Sequence, residues 1–474
     1  MVFSSLIFLY AFFSLSLLAY LMCETRKAQN VVLLIFSLIF YAWGEPKYVL
    51  LLMFMAFASW VCALGVDKAG NKKTQQFWVA VAAVVDIGLI GYFKYAGLIC
   101  GIFGTVPDFI RSIALPIGIS FYTFQLLTYV IDVYRGDAPA QKSYWNVLLY
   151  AALFHQCIAG PIVRYKTVDR ELFGGELRKP ELAEGVTRFS VGLAKKALLG
   201  NPCGELAETL ILAESVASDP AQLAANLQAM GELPVLGAWL GLAAYALHIY
   251  LDFSAYSDMA IGMGRMIGLH YLENFNYPYI SRTVTEFWRR WHMSLGTFFR
   301  DYVYIPLGGS RRSKGRMVFN TFVVWALTGL WHGASWNFVL WGGYYAVLLI
   351  LEKSFLLKAL QKIPAAFRHA YAMIAVALGW ALFYFEDMGQ LGAFLLRLFT
   401  PVSSQGAANI MLGYLPMMAA AIFAAMPFAA FWTKRKENSE LLGWAKIAAG
   451  ALVMLLCVAA LAKQSYNPFI YFRF

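Results

Sequence analysis

Charge is scarce in this chain. Only 14% of its 474 residues are Asp, Glu, Lys or Arg, while 60% are hydrophobic, and its mean hydropathy is +0.60. Soluble domains carry about 25% charged and about 45–50% apolar residues. The shortfall excludes a soluble enzyme, a disordered chain and a collagen-like fibre. Short strands alternating apolar with polar residues are missing too, which argues against a β-barrel. Cysteine is sparse: Cys23, Cys62, Cys100, Cys157, Cys203 and Cys457 are scattered, mostly inside apolar runs, with no CxxC. They read as small buried apolar residues, neither a disulfide framework nor a metal site. No GxxxxGK(S/T), HExxH or GxSxG occurs, so ATP hydrolysis and zinc proteolysis lose their usual signatures.

Present instead are long uncharged runs, many above the roughly 18 residues that mark a spanning helix. The reading is an all-α polytopic membrane protein. Met1–Cys23 has no charge and no cleavage site, so it reads as an uncleaved first helix. Further candidates lie near 30–43, 48–66, 76–96, 112–131, 143–163, 186–200, 233–251, 317–335, 336–351, 370–386, 391–432 and 443–463, about 11 crossings by span length. The run 143–163 holds His155 and Gly160-Pro161, which suits a broken or re-entrant helix. No soluble domain fits between the spans. The chain reads as one integral-membrane domain, residues 1–474, with N-terminal helices (1–110), a catalytic core (111–351) and C-terminal helices (352–474).

The net charge of +11 would raise nucleic acid as a partner of a soluble protein. Here it fits the Lys and Arg excess of cytoplasmic loops, so no nucleic acid is expected. Arg26-Lys27, Lys68/Lys72/Lys73, Lys195-Lys196, Arg289-Arg290, Arg311-Arg312-Lys314-Arg316 and Lys434-Arg435-Lys436 are placed inside by that rule. Met1, the turn Gly44-Glu45-Pro46 and the C-terminal tail are placed outside.

Polar residues in apolar surroundings are costly and carry the information in such a chain. Four segments qualify. In Tyr245–Asp258, His248 and Asp252 share a helix face, joined by Tyr256 and Asp258. They form either a network that pins helices or a polar wall along a substrate path; two ligands on one helix do not complete a metal shell. Glu286–Gly309 interleaves charges with Trp288, Trp291, Phe298, Phe299, Tyr302 and Tyr304 at helical spacing. It reads as an interfacial amphipathic helix carrying His292 and ended by Pro306-Leu-Gly-Gly. Leu327–Asn337 sets His332 among Trp331, Gly333, Ser335 and Asn337, in a stretch without charge from Met317 to Leu351. Gly329 and Gly333 admit a close backbone or ligand. His332 is either an interhelix hydrogen-bonder or a general base, since a neutral imidazole can accept a proton. The tail Ser465–Phe474 is an aromatic interface anchor.

Two of these segments resemble a known family. Arg289-Arg-Trp-His292-Met-Ser-Leu and, forty residues on, Leu330-Trp-His332-Gly-Ala-Ser-Trp look like the two marks of the membrane-bound O-acyltransferases. Leu115–Gln125, Gly160–Arg164, Asp252–Ala260, Asp301–Gly309 and Tyr466–Phe472 are similar to its bacterial alginate O-acetyltransferase branch. The resemblance implies a ring of helices around a central funnel or tunnel in the bacterial inner membrane. It implies no bound cofactor, and a thioester donor, acetyl-CoA or an acylated carrier protein, used from the cytoplasm. The acyl group passes to an exported polysaccharide or to a periplasmic acetyltransferase or polymer-secretion complex. D-alanyl transfer to teichoic acid and a non-enzymatic polysaccharide or lipid transporter are the rival readings.

Acyl transfer needs a base for the acceptor and donors for the developing oxyanion. His332, which matches the family's near-invariant histidine, is assigned as base; His292 orients or stabilises the tetrahedral species. Asp252, Tyr256, Asp258, Trp288, Arg289, Trp331, Ser335 and Asn337 are the candidate substrate contacts. Arg311, Arg312, Lys314 and Arg316 are expected beside the donor entrance, because CoA and acyl carriers are anionic.

Overall fold

The computed structural model describes residues 1–158, 160–174, 180–211, 219–401, 407–428, 440–463 and Phe469. The basic cluster Lys434–Lys436 and, Phe469 apart, the tail Ser465–Phe474 lie outside them. Among the described residues every regular element is a helix. Six are long and apolar enough to cross a membrane: Arg26–Gly44, Val49–Lys68, Lys72–Phe103, Val235–Met266, Trp336–Leu360 and Ala365–Tyr384. They coincide with six of the runs read from the sequence. The chain divides into two compact units, Met1–Gly192 with Tyr256–Glu273, and Leu193–Ala255 with Asn274–Phe474.

In the first unit, α1 (Arg26–Gly44), α2 (Val49–Lys68), α3 (Lys72–Ile90), α4 (Ile119–Arg135) and α5 (Tyr144–Ala152) pack together. Side chains start two of them: Thr25 Oγ1 accepts from Ala28 N at 3.2 Å, and Asn71 Oδ1 from Thr74 N at 2.9 Å. α2 is apolar all round, so it buries Leu52, Met55, Ala56 and Cys62 while Leu50, Phe54 and Phe57 stay exposed. Exposed apolar stripes of this kind suit lipid. The run 143–163 breaks: α5 ends at Ala152, a turn carries His155 to Ile158, and Gly160 takes φ +108°. In this same unit Arg188 pairs with Asp258 at 2.7 Å.

The long helix α6 (Val235–Met266) contributes residues 235–255 to the second unit and 256–266 to the first. The second unit also holds the short helices α7 (Val284–Arg290) and α8 (Met293–Phe299), then α9 (Lys314–His332), α10 (Trp336–Leu351) and α11 (Ala365–Tyr384). Ser313 Oγ starts α9 by accepting from Arg316 N at 3.3 Å. α9 and α10 form a tight hairpin. A Cβ added at Gly342 would stand 3.3 Å from Gly329 Cα, and one at Gly329 would strike the Phe338 carbonyl. Close approach without Cβ atoms is how membrane helices gain packing contacts. It also fixes the register at which His332 leaves α9.

Candidate functional site

His332 is the last residue of α9 and is buried. Its ring lies 4.9 Å from that of Trp341 and 5.0 Å from that of Phe383, both roughly edge to face. Gly333 next to it is extended, at φ −171°, and has no room for a Cβ because the Phe338 ring occupies that space. The imidazole is thus set by aromatic packing from α10 and α11.

His292 is positioned differently. The expected single amphipathic helix is broken at Trp291-His292, and His292 adopts the left-handed conformation, φ +45° and ψ +54°. Few residues other than Gly do so, and the strain persists only where the surroundings enforce it. Asn274 enforces it. Its Oδ1 accepts from Ser294 N at 3.2 Å and Ser294 Oγ at 2.9 Å, and its backbone oxygen accepts from Met293 N at 2.9 Å. The same Oδ1 lies 3.1 Å from His292 Nδ1. Because the Ser294 amide can only donate, this atom is the acceptor, which assigns the His292 proton to Nδ1 and leaves Nε2 as the accepting nitrogen. Burial holds the imidazole neutral, pushing its pKa down to about 3.

Both histidines line one cavity of about 360 Å³ within the second unit. Trp331 packs between them, its ring 5.8 Å from His292 and 4.8 Å from His332. Trp288, Trp291, Phe299, Tyr304 and Trp325 supply aromatic rings to its walls. Three cations also line it: Arg289, Arg300 and Lys353. Lys353 Nζ donates to Thr321 Oγ1 at 3.3 Å and sits 5.2 Å from the Tyr304 ring centre. Two buried polar atoms on the α7 wall, Thr285 Oγ1 and Trp288 Nε1, have no hydrogen-bond partner, so each is open to one from a ligand.

Of the candidate catalytic, substrate and donor contacts named from the sequence, His292, His332, Trp288 and Arg289 meet at this cavity, and Trp331 buttresses it. The rest lie elsewhere. Asp252 forms a buried ion pair with Lys196 at 2.7 Å, so Lys196 is not part of an exposed basic loop. His248 Nδ1 meets the Gly200 carbonyl at 2.8 Å. Tyr256 stacks on Phe3, with centroids 4.1 Å apart, and Asp258 is held by Arg188, both in the first unit. Ser335 Oγ donates to Asn337 Oδ1, and Asn337 Nδ2 donates to the Phe383 carbonyl at 3.4 Å, which ties α10 to α11. Arg311, Arg312, Lys314 and Arg316 are exposed and none lines the cavity, although their neighbour Ser310 does. Sequence reasoning passed over Arg300 and Lys353. Lys353 carried a signal: with Glu352 it ends the uncharged stretch that holds His332. Among the described residues, no group of three or more His, Cys, Asp or Glu side chains could hold a metal ion.

A cavity that joins two buried imidazoles, aromatic rings and three cations, in a chain whose described residues form only helices, six of them fit to cross a membrane, fits a multi-pass membrane enzyme. The model of the MBOAT, membrane-bound O-acyltransferase family, matches residues 138–387, and the chain belongs to that family, whose members are acyltransferases. Over its whole length, and the whole length of the relative, it is 34% identical to the "Probable alginate O-acetylase AlgI" of Azotobacter vinelandii. It is 38% identical to the protein of the same name from Pseudomonas aeruginosa, over 82% of this chain and 73% of that one. The "Peptidoglycan O-acetyltransferase" of Helicobacter pylori is 27% identical, over 75% of this chain and 71% of that one.

Proposed function

We propose that this chain is an O-acetyltransferase of the bacterial inner membrane, with His332 as its general base. It takes acetyl from a cytoplasmic thioester, acetyl-CoA or an acylated carrier protein. It delivers the group to an exported polysaccharide, directly or through a periplasmic acetyltransferase or secretion partner. The observation that carries the reading is the cavity in which His292 and His332, forty residues apart, meet Arg289, Arg300 and Lys353. The relatives' printed names supply the acetyl group and the polysaccharide class.

In this reading His332 takes the proton of the acceptor hydroxyl as its oxygen attacks the thioester carbonyl. The tetrahedral oxyanion collapses, the C–S bond breaks, and the imidazolium returns the proton to the leaving thiolate. Ester and free thiol result. Neutral His292, with its proton on Nδ1 toward Asn274, offers Nε2 as an acceptor and orients the hydroxyl; it does not donate to the oxyanion. Trp288 Nε1 and Thr285 Oγ1 serve polar groups of the donor arm, and the cations serve its anionic end. The hydrocarbon core is about 30 Å thick, so one histidine is reached from both faces if a single domain of about 11 crossings encloses a tunnel around it.

The test is His332→Ala. Loss of a general base typically costs about 10²–10⁴-fold, so a variant that inserts and purifies normally should show less than about a tenth of the wild-type rate. A higher rate sinks the assignment. Mass analysis of the product separates acetyl from D-alanyl transfer.

A further inference from the structure

Glu352 is a buried carboxylate outside the cavity lining. It begins a π-helical turn, Glu352–Leu356, that continues α10. Its two oxygens accept from the first two amides of α7: Val284 N at 2.8 Å and Thr285 N at 2.7 Å. Tyr371 of α11 donates its hydroxyl to the same carboxylate at 3.1 Å. The next amide of α7, Glu286 N, donates to Thr283 Oγ1 at 3.0 Å. The first three backbone amides of α7 therefore each have an acceptor, and Glu352 serves two of them from another element.

α7 has seven residues, too few to be stable as an isolated helix. Its position depends on what holds its ends. Asn274 holds the chain just beyond its last residue, at His292 and Ser294, and Glu352 holds its first. Glu352 also continues the helix that meshes with α9 at Gly329 and Gly342, and α9 ends in His332. The neighbouring Lys353 lines the cavity. A buried carboxylate needs strong donors to offset its lost hydration, so this arrangement is specific to an anion-shaped acceptor with two oxygens.

We propose that Glu352 is a positioning residue for the reaction: its carboxylate ties α7 to α10 and thereby sets His292 against His332. The proposal rests on the reading that both histidines serve the chemistry. Glu352→Gln is the sharp perturbation, since it keeps size and replaces one acceptor by an NH₂ group facing a backbone N–H. The measurement is acetyl transfer from labelled acetyl-CoA in membrane vesicles holding the full chain, with the rate divided by the amount of inserted enzyme.

Displacement of a catalytic group by about 1 Å can cost about a hundredfold, so Glu352→Gln should lower kcat by about ten- to a hundredfold. His292→Ala and the double variant are measured beside it. Because Glu352 acts through His292, the double variant should fall within about twofold of His292→Ala alone; a general loss of folded protein would multiply the two effects. Full activity of Glu352→Gln beside an impaired His292→Ala overturns this proposal alone, and so does a multiplicative double variant. Full activity of His292→Ala overturns it together with the reading beneath it. Should Glu352→Gln fail to insert, Tyr371→Phe removes one donor to the carboxylate. It should cut the rate about two- to fivefold, without adding to His292→Ala, and an unchanged rate overturns the proposal.

Discussion

Replacing Asn274 by Ala should disable His292 without touching it. The side chain is fully buried and its Oδ1 serves His292 Nδ1, Ser294 N and Ser294 Oγ. Removing those acceptors forfeits about 1 kcal/mol per bond and leaves the Ser294 amide without its partner, which adds about 1–3 kcal/mol. The backbone bond from Met293 N to Asn274 O survives, so the segment stays attached but is no longer over-determined. His292 at φ +45° is then free to relax toward ordinary φ, which releases strain of about 1–3 kcal/mol and swings the ring from the cavity wall. A shift of that kind implies a rate loss of about a hundredfold. Asn274→Asp keeps the acceptor oxygens and should retain about ten times the activity of Asn274→Ala. The assay is acetyl transfer per inserted enzyme for both variants. Equal impairment of Asp and Ala, or an Ala variant as fast as wild type, refutes the argument that Asn274 acts by accepting hydrogen bonds.

Removing two of the three cavity cations with Arg300→Gln and Lys353→Met should raise the donor KM about tenfold and flatten its dependence on salt. Neutralising Arg311, Arg312, Lys314 and Arg316, which do not line the cavity, should change KM less, and the opposite ranking would move the donor site to that loop. Stability should fall on acidification through His292: its folded pKa is about 3 against an ordinary 6.5, so between those values the unfolded chain binds a proton that the folded chain does not. Going from pH 7 to 5 should therefore cost about 2 kcal/mol at this site. Thermal unfolding of His292→Gln should show a smaller drop over that interval, and an equal drop contradicts the assignment.

The helices were legible where physics makes them local. An uncharged run of some 20 residues reports its own length and solvent, and all six spanning helices sit on runs that the sequence marked. The break at His292 was not legible. Residues 286–305 keep helical spacing of aromatics and charges throughout, and the interruption is imposed by Asn274, eighteen residues upstream, which claims the amides of Met293 and Ser294. The two histidines could be named because each stands out in its own segment. Their meeting at one cavity depends on the α9–α10 hairpin and on Glu352, which no local pattern displays.

The charged residues divide along the same line. Asp252 and Asp258 stand out as acids within an apolar helix, but their partners are Lys196 and Arg188, and the Lys195-Lys196 pair reads in sequence as a loop signal. A buried acid and base distant in sequence cannot be matched by pattern, yet separating them would leave an uncompensated charge worth about 3–5 kcal/mol. Recognition of an anionic donor has the reverse requirement. It needs cations that converge in space while remaining unclustered in sequence, since a run of adjacent lysines and arginines repels itself and stays solvated. Arg289, Arg300 and Lys353 come from three separate elements and reach one cavity, whereas Arg311–Arg316 remain at the exposed start of α9. A tight basic run is therefore better fitted to fixing the orientation of a span, and cations drawn from separate elements to meeting an anionic ligand in one cavity.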